Sequence, residues 1–340
     1  MTFVIISMHK NRYNASQKQR KMYKRRKKMG KEKIIYDGDP GHDDAMAIIM
    51  AEGNPGIELL GITTVAGNST LENVTKNALR LKDLMHSEVP VAAGFSRPLV
   101  KELYTAPFVH GESGLDGPEL FEPKSKTIDK HACEFIIEQV MKEPGEISIV
   151  TAGPLTNIAG ALRMEPGIEE KIKQIVIMGG GRFGNITPAA EFNIWQDAEA
   201  AKIVFDSRIK KVMCGLDLTY QALATKEIME RIGKIDTDLG RFVNDFLTFY
   251  NKTTAGRTKK GASINDACCV AYLIDPTVFE TKLMRVDVET KGEFTYGMTC
   301  IDVFRMNSGR KLKEPNVYVG SNLDFEKFWD LMIGAIKAFE

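Results

Sequence analysis

The chain has 340 residues, 43% hydrophobic and 27% charged, an ordinary balance for a globular protein of one large domain or two small ones. No apolar run approaches the ~20 residues that span a bilayer. The segment Phe3-Val4-Ile5-Ile6 is too short for a signal-peptide core and has no positive flank before it.

The net charge of +1 conceals two unlike parts. Residues 1–33 hold twelve Lys and Arg against one acid, Glu32, while the rest of the chain carries 34 basic and 44 acidic side chains, a net −10. Residues 1–32 read as a basic, disordered leader, or as an over-long gene start with Met29 as the true first residue. The run Lys24-Arg25-Arg26-Lys27-Lys28 has the make-up of a nucleic-acid or nuclear-import patch. The acidic body argues against a nucleic-acid polymer as substrate, so only this tail offers a route to nucleic acid. Five cysteines, with Cys268 and Cys269 adjacent, form no CxxC pattern and point to reduced thiols in a cytoplasmic protein.

From Lys33 onward, strand and helix patterns alternate. Lys33–Asp37 is a short apolar strand, and Asp43–Glu52 has helical spacing that stops at Gly53-Asn54-Pro55. Glu58–Val65 is a second strand. Leu71–Met85 is a helix with Leu71, Val74, Ala78, Leu81 and Met85 at three- and four-residue steps. Val89–Ala93 is a third strand, and 94–128 is loop-like. Then follow a helix at His131–Met141, a strand at Ile147–Thr151, a helix at Leu155–Leu162, and a strand at Ile172–Met178 that ends in Gly179, Gly180 and Gly181. Asp197–Phe205 is a helix and Lys211–Leu216 a strand. The stretch 223–275 is mainly helical, 283–304 reads as a hairpin or edge strands, and Phe325–Phe339 is a closing helix. This alternation predicts an α/β fold: one domain over 33–340 with a mostly parallel, doubly wound, Rossmann-like sheet, helices on both faces, a C-terminal helical part and a small edge hairpin.

Four carboxylates, Asp37, Asp39, Asp43 and Asp44, fall within eight residues at the end of the first strand. Like charges that close repel one another, and a core does not tolerate them unpaired. A hard cation resolves the conflict, since Ca2+ and Mg2+ take oxygen ligands. In parallel sheets ligands bind beyond the carboxyl ends of the strands. Those ends also carry Asn68, Thr151-Ala152-Gly153-Pro154, Asn185, Glu191, Asn193 and Asp217. Oxygen-rich side chains at five strand ends suit a polyhydroxylated ligand and a hard metal. Blander readings stand beside these. Asp37 could buttress the Asp39 turn, and Asp43 could be a first-turn acid favoured by the helix dipole. Asn185 and Asn193 could be turn residues, Met178 core, His110 a loop histidine, His42 a solvent or helix-start residue, and Asp217 structural.

The Asp37–Asp44 motif, Thr63-Thr64-Val65-Ala66-Gly67-Asn68, His110-Gly111-Glu112-Ser113-Gly114, Gly153-Pro154-Leu155-Thr156-Asn157, Met178-Gly179-Gly180-Gly181 and Ala190-Glu191-Phe192-Asn193 together resemble the inosine–uridine preferring nucleoside hydrolases, in the family's order, from about Lys33 to the C-terminus. The resemblance implies hydrolysis of the N-glycosidic bond of ribonucleosides with a tightly bound Ca2+. It implies Asp39, Asp44 and Asp266 as carboxylate ligands and Ala152 as a carbonyl ligand. The cation would also hold the ribose diol and a water from which Asp39 takes a proton. Asp43 and Asn193 would hold the 2′- and 3′-hydroxyls, and Asn185 and Glu191 the 5′-hydroxyl. Met178 would lie under the ribose, Asn68 would orient the nucleophile region, and Asp37 would support the ligands from behind. Family members are usually dimers or tetramers, so a homodimer or homotetramer is implied.

The base end departs from the pattern. Purine-cleaving members often place a His before the last Asp ligand, where this chain has Asn265 in Ser263-Ile264-Asn265-Asp266. An amide donates a hydrogen bond but delivers no proton near neutral pH. The segment Phe249–Thr258 lacks tyrosines at two base-contacting positions, and Arg257, Lys259 and Lys260 are unusual there. His110 remains as a candidate partner for the base. Two other readings compete. One is a Mg2+-dependent, haloacid-dehalogenase-like phosphatase using Asp37-Gly38-Asp39, although Gly41 stands where such enzymes usually need Thr or Val. The other is a nucleoside binder weakened in catalysis at Asn265.

Overall fold

The computed structural model describes residues 30–255, 260–305 and 312–339. The leader expected over residues 1–32 (all but its last three residues), with its run Lys24–Lys28, and the positions Arg257, Thr258 and Lys259 lie outside the described residues.

Eight strands form the main sheet: β1 (Glu32–Gly38), β2 (Ile57–Thr64), β3 (Val91–Ala93), β4 (Ile147–Thr151), β5 (Gln174–Met178), β6 (Lys211–Cys214), β9 (Phe279–Met284) and β12 (Val317–Leu323). Their order is β3-β2-β1-β4-β5-β6-β12-β9. All neighbours are parallel except β12 and β9, which run antiparallel at the edge. The first six strands follow the doubly wound order, whose direction of winding reverses between β1 and β4. In β1, Asp37 stands level with Thr63 of β2 and Thr151 of β4, so three strand ends open at one height.

Period-two alternation splits the core between the two faces of the sheet. Ile34 and Tyr36 pack with Met46, Ile48 and Trp329 on one face. Ile35 packs with Phe135, Ile149, Ile175 and Phe205 on the other. Helix α1 (His42–Gly53) is buried from His42 to Ala51, which explains its continuous apolar sequence. Helix α2 (Leu71–Leu84) is amphipathic and begins at Thr70, whose side chain accepts the Asn73 N–H.

Several expectations change. The stretch 94–128 contains a short helix, α3 (Pro107–His110), started by proline at its first position and ending on His110. His131 caps α4 (Ala132–Lys142) from outside. Helix α5 is Thr156–Met164. The helix expected from Asp197 is preceded by a separate turn, α6 (Phe192–Gln196), and Asp197 caps α7 (Ala198–Asp206). Leu216 leaves the strand and opens α8 (Leu216–Thr219). The helical stretch holds α9 (Lys226–Ile232), α10 (Asp238–Thr254) and α11 (Ala267–Ile274), but also the two-residue strands β7 (Leu223–Ala224) and β8 (Ala262–Ser263). The expected hairpin is β10 (Val286–Val288) with β11 (Thr299–Ile301). Strand β12, which no periodicity announced, enters the sheet beside β6, and α12 (Phe325–Ile336) closes the fold. No helix among the described residues is long and apolar enough to cross a membrane.

Candidate active site

The turn Gly38–Gly41 carries the chain from β1 into α1 and folds its carboxylates under the switch point of the sheet. Asp44 stands in the first turn of α1, where the helix dipole favours an acid. Its Oδ2 accepts the Gly41 N–H at 3.1 Å and its Oδ1 the Tyr36 hydroxyl at 2.8 Å. Asp39 Oδ2 accepts the backbone N–H of Asn68 at 2.6 Å. The Asn68 amide donates to the Asp39 carbonyl at 3.2 Å and to Asp44 Oδ2 at 3.4 Å, which ties the two acids together. Gly67 permits this approach, since a Cβ there would lie 2.1 Å from Asp39 Oδ2. Asp39 Oδ1 is buried with no hydrogen-bond partner.

Asp266, at the start of α11, meets this group from across the chain. Carboxylate oxygens of Asp43, Asp44 and Asp266 lie within 4.8 Å of one another, and Asp39 completes no such trio among the described residues. Burial and then the neighbouring acids push Asp39 and Asp266 well above the usual carboxylate range, and push Asp44 to about 7. Asp43 is raised mainly by burial, against the hydrogen bond from Asn265. Buried carboxylates whose leading influences are desolvation and one another, with one oxygen left unpaired, are a hard-oxygen donor set that fits a divalent cation.

The opposite wall comes from the ends of β4 and β5. The Ala152 carbonyl accepts the Asn193 amide at 2.8 Å, and that amide also lies 3.4 Å from the sulfur of Met178. Gly180 turns the chain after β5 with φ of +72°, a conformation that favours glycine. Glu191 caps α6 and gathers three backbone N–H groups, from Gly180 at 3.0 Å, Asn193 at 2.9 Å and Ile194 at 3.1 Å. Burial outweighs these bonds and lifts its carboxyl to about 7. Asn185 Oδ1 accepts the Phe192 N–H at 2.9 Å.

One cleft gathers Asp43, Asn68, His110, Ala152, Met178, Asn185, Glu191, Asn193, Asn265 and Asp266. Asp39 and Asp44 lie in its floor without exposure. Asp37 is further back: its Oδ1 accepts Thr63 Oγ1 at 2.6 Å and Asn157 Nδ2 at 2.7 Å, and burial raises it to about 7. It faces the protein, not the cleft, so it has no geometry for the nucleophile of the phosphatase reading. Asp217 lies apart and accepts the Arg182 N–H at 2.8 Å.

Two residues near the base end are engaged within the protein. Asn265 lines the cleft, but its amide nitrogen donates to Asp43 Oδ2 at 2.7 Å and to the Ser263 carbonyl at 3.2 Å, while its oxygen accepts the Ser263 hydroxyl at 2.6 Å. Its amide is thus engaged by Asp43 and Ser263. His42 starts α1 as expected but is wholly buried and not in solvent. Its ring lies nearly parallel to those of Tyr250 and His110, and burial lowers it to about 4, keeping it neutral. Tyr250, Phe108, Val109, Ile186 and Phe192 add an aromatic and aliphatic rim that sequence reasoning did not single out. Only the aromatic spacing of Phe246, Phe249 and Tyr250 in α10 hinted at it, because it reads equally as core.

The family model of the inosine-uridine preferring nucleoside hydrolases matches residues 34–330. An inosine-uridine preferring nucleoside hydrolase of Crithidia fasciculata is 47% identical over 311 residues, covering 90% of this chain and 97% of that protein. A pyrimidine-specific ribonucleoside hydrolase of Escherichia coli is 42% identical over 314 residues, covering 92% of this chain and 99% of that protein. Among solved structures, a purine-preferring ribonucleoside hydrolase from Gardnerella vaginalis superposes with a TM-score of 0.84 at 34% identity, covering 90% of this chain and 98% of that one. The chain therefore belongs to the inosine-uridine preferring nucleoside hydrolase family and is a hydrolase that acts on N-glycosyl compounds.

Proposed function

We propose that the protein uses a bound Ca2+ to hydrolyse the N-glycosidic bond of purine or pyrimidine ribonucleosides, releasing free base and ribose. The observation that carries this reading is the floor of buried carboxylates, with Asp39 Oδ1 unpaired, beneath a cleft lined by oxygen-bearing side chains. The cation would be held by Asp39, Asp44, Asp266 and the Ala152 carbonyl, with Asp43 adjoining, and would neutralise these acids and ease deprotonation of water.

Asp39 accepts the proton of the attacking water through its unpaired oxygen, and Asn68 keeps that carboxylate aimed by its 2.6 Å N–H bond. Asp43 and Asn193 hold the ribose diol; Asn185 and Glu191 hold the 5′-hydroxyl; Met178 lies beneath the ring. Cleavage passes through an oxocarbenium-like ribosyl cation, which a negatively charged floor stabilises as charge develops. His110 gives a proton to the departing base, since the Asn265 amide is bound to Asp43. Asp37 supports the floor through Thr63 and Asn157. The named relatives include purine-preferring and pyrimidine-specific enzymes, so the substrate class is the ribonucleoside rather than one base. A cytoplasmic homodimer or homotetramer completes the reading.

The test is a panel of inosine, uridine and cytidine, incubated with the protein as purified, after chelation and after Ca2+ is restored, with free base measured by chromatography. Base release that chelation abolishes and Ca2+ restores is expected. Nucleoside binding without release would replace the hydrolase with a binder, and phosphate release from a sugar phosphate would favour the phosphatase.

A further inference from the structure

An imidazole serves a departing base only if the nitrogen that faces the base is free to take up a proton and pass it on. We propose that His42 is the positioning residue that sets this: it holds His110 in the Nδ1–H form, so that Nε2 is the atom that exchanges a proton with the base. The inference rests on the hydrolase reading above, and within it on His110 as the partner of the base.

The assignment follows from three hydrogen bonds that close a circuit. His42 Nε2 lies 2.8 Å from the Asp116 carbonyl oxygen. A carbonyl only accepts, so His42 Nε2 carries the hydrogen and, in the neutral ring, His42 Nδ1 carries the lone pair. His42 Nδ1 in turn lies 2.9 Å from His110 Nδ1. One of these nitrogens must donate, and only His110 is left to do so. The two rings stand 5.2 Å apart at 22°, close to coplanar and joined nitrogen to nitrogen. The backbone N–H of His42 also donates toward His110 Nδ1, but at 3.4 Å it is the weaker of the two claims on that nitrogen. The Asp116 N–H closes the circuit by donating to the His110 carbonyl at 3.1 Å.

His42 cannot turn to offer a different edge. Its ring lies against Tyr250 at 4.9 Å and 6°, against Phe249 at 5.6 Å and 10°, and edge-on to Phe246 at 5.8 Å. A flipped ring would aim a C–H at the Asp116 carbonyl. His110 lies in the cleft wall, with its Nε2 on the side of the ring away from Nδ1. In the reaction His110 acts as the imidazolium, with Nδ1–H bonded to His42 and a second proton taken up from solvent on Nε2; the Nε2 proton passes to a nitrogen or carbonyl oxygen of the base, as the electron pair of the glycosidic C–N bond moves onto the base. His110 is left neutral with Nδ1–H still bonded to His42, so no bond within the protein has to break. With the Asn265 amide engaged by Asp43, this pair supplies what that position does not.

Two measurements decide it. In the full chain with 15N-labelled histidine, long-range proton–nitrogen spectra are expected to show His110 as Nδ1–H and His42 as Nε2–H, assigned from the His42→Gln and His110→Gln spectra; His110 found as Nε2–H overturns the proposal. In kinetics, His42→Phe keeps the aromatic packing and removes the acceptor. Its kcat on uridine is expected to fall about 10- to 100-fold, a part of the ~10²–10⁴-fold that acid catalysis supplies, with KM little changed. The ratio of uridine to p-nitrophenyl riboside cleavage, whose leaving group needs no proton, should fall by about tenfold or more. His42→Gln, whose amide can both donate to Asp116 and accept from His110, should recover much of the loss. Equal losses on both substrates would make His42 merely structural and overturn the proposal. If the wild type cleaves neither substrate, the hydrolase reading fails, and the spectra still support or overturn the tautomer.

Discussion

Asp39 has one oxygen anchored by the Asn68 N–H and one buried without a protein partner, a combination it shares with Asp37, but Asp39 lies at the cleft floor and Asp37 behind it. Asp39→Asn keeps the shape and removes the base. Its kcat should fall about 10²- to 10⁴-fold, the range of a lost general base. Circular dichroism melts of the metal-free protein should show no loss of stability, because a burdened buried charge has gone. Asn265 behaves differently, since its amide serves Asp43. Asn265→Ala takes one donor from the Asp43 carboxylate, leaving those of Tyr250 and Asp266, and the loss of a hydrogen bond to a buried acceptor costs about 1–3 kcal/mol. The expected outcome is a KM for nucleosides and a Ki for free ribose that both rise about tenfold, read from steady-state kinetics. A variant with unchanged Ki would remove Asn265 from the ribose end. The carboxylates themselves were legible in the sequence, because four acids in eight residues have no other comfortable explanation. The engagement of Asn265 was not, because Asp43 and Asn265 are 222 residues apart.

At the scale of elements, the cleft depends on where helices begin. Glu191 and Asp197 start successive helices, and each spends its carboxylate on backbone N–H groups as well as on its neighbours. Asp197 caps α7 through Ala200 at 3.0 Å, accepts Thr156 Oγ1 at 2.7 Å and holds the Leu99 N–H at 2.9 Å. It lies outside the cleft lining. Asp197→Ala should therefore cost about 1–3 kcal/mol, measured by urea unfolding, while KM stays close to wild type. The sequence marked the helix over 197–205 but not the extra turn α6, because five residues are too few to display helical periodicity. For the same reason α3 was hidden inside a loop, although it places His110.

At the scale of the molecule, the buried acids in and around the cleft shape how stability depends on pH. Asp37, Asp44 and Glu191 are each raised to about 7, with burial the largest cause. In the unfolded chain such groups titrate near pH 4, so between roughly pH 4 and 7 the folded protein binds more protons than the unfolded one. Stability is then greatest at the acidic end and is lost as pH rises through about 7. A cation that requires ionised ligands opposes this at Asp44. Calorimetry in chelator should show Tm falling between about pH 5 and 8, and the gain in Tm on adding Ca2+ should widen over the same range. A chelated Tm that climbs with pH would contradict the picture.

Hydrophobic periodicity and breaker residues sufficed to determine an α/β fold, the alternation from Lys33 to Leu216 and the strand ends that bear the acids, because these depend on neighbours within a few positions. The insertion of β12 beside β6 was decided by tertiary structure, since sheet order is a choice among partners that local sequence does not name. The same holds for the meeting of Asp266 with Asp43 and Asp44, for Asn265 bound to Asp43, and for His42 joined to His110 at 2.9 Å. Each pairs residues from distant segments, and only the folding of α1, α3 and the start of α11 around one cleft brings their atoms within bonding reach.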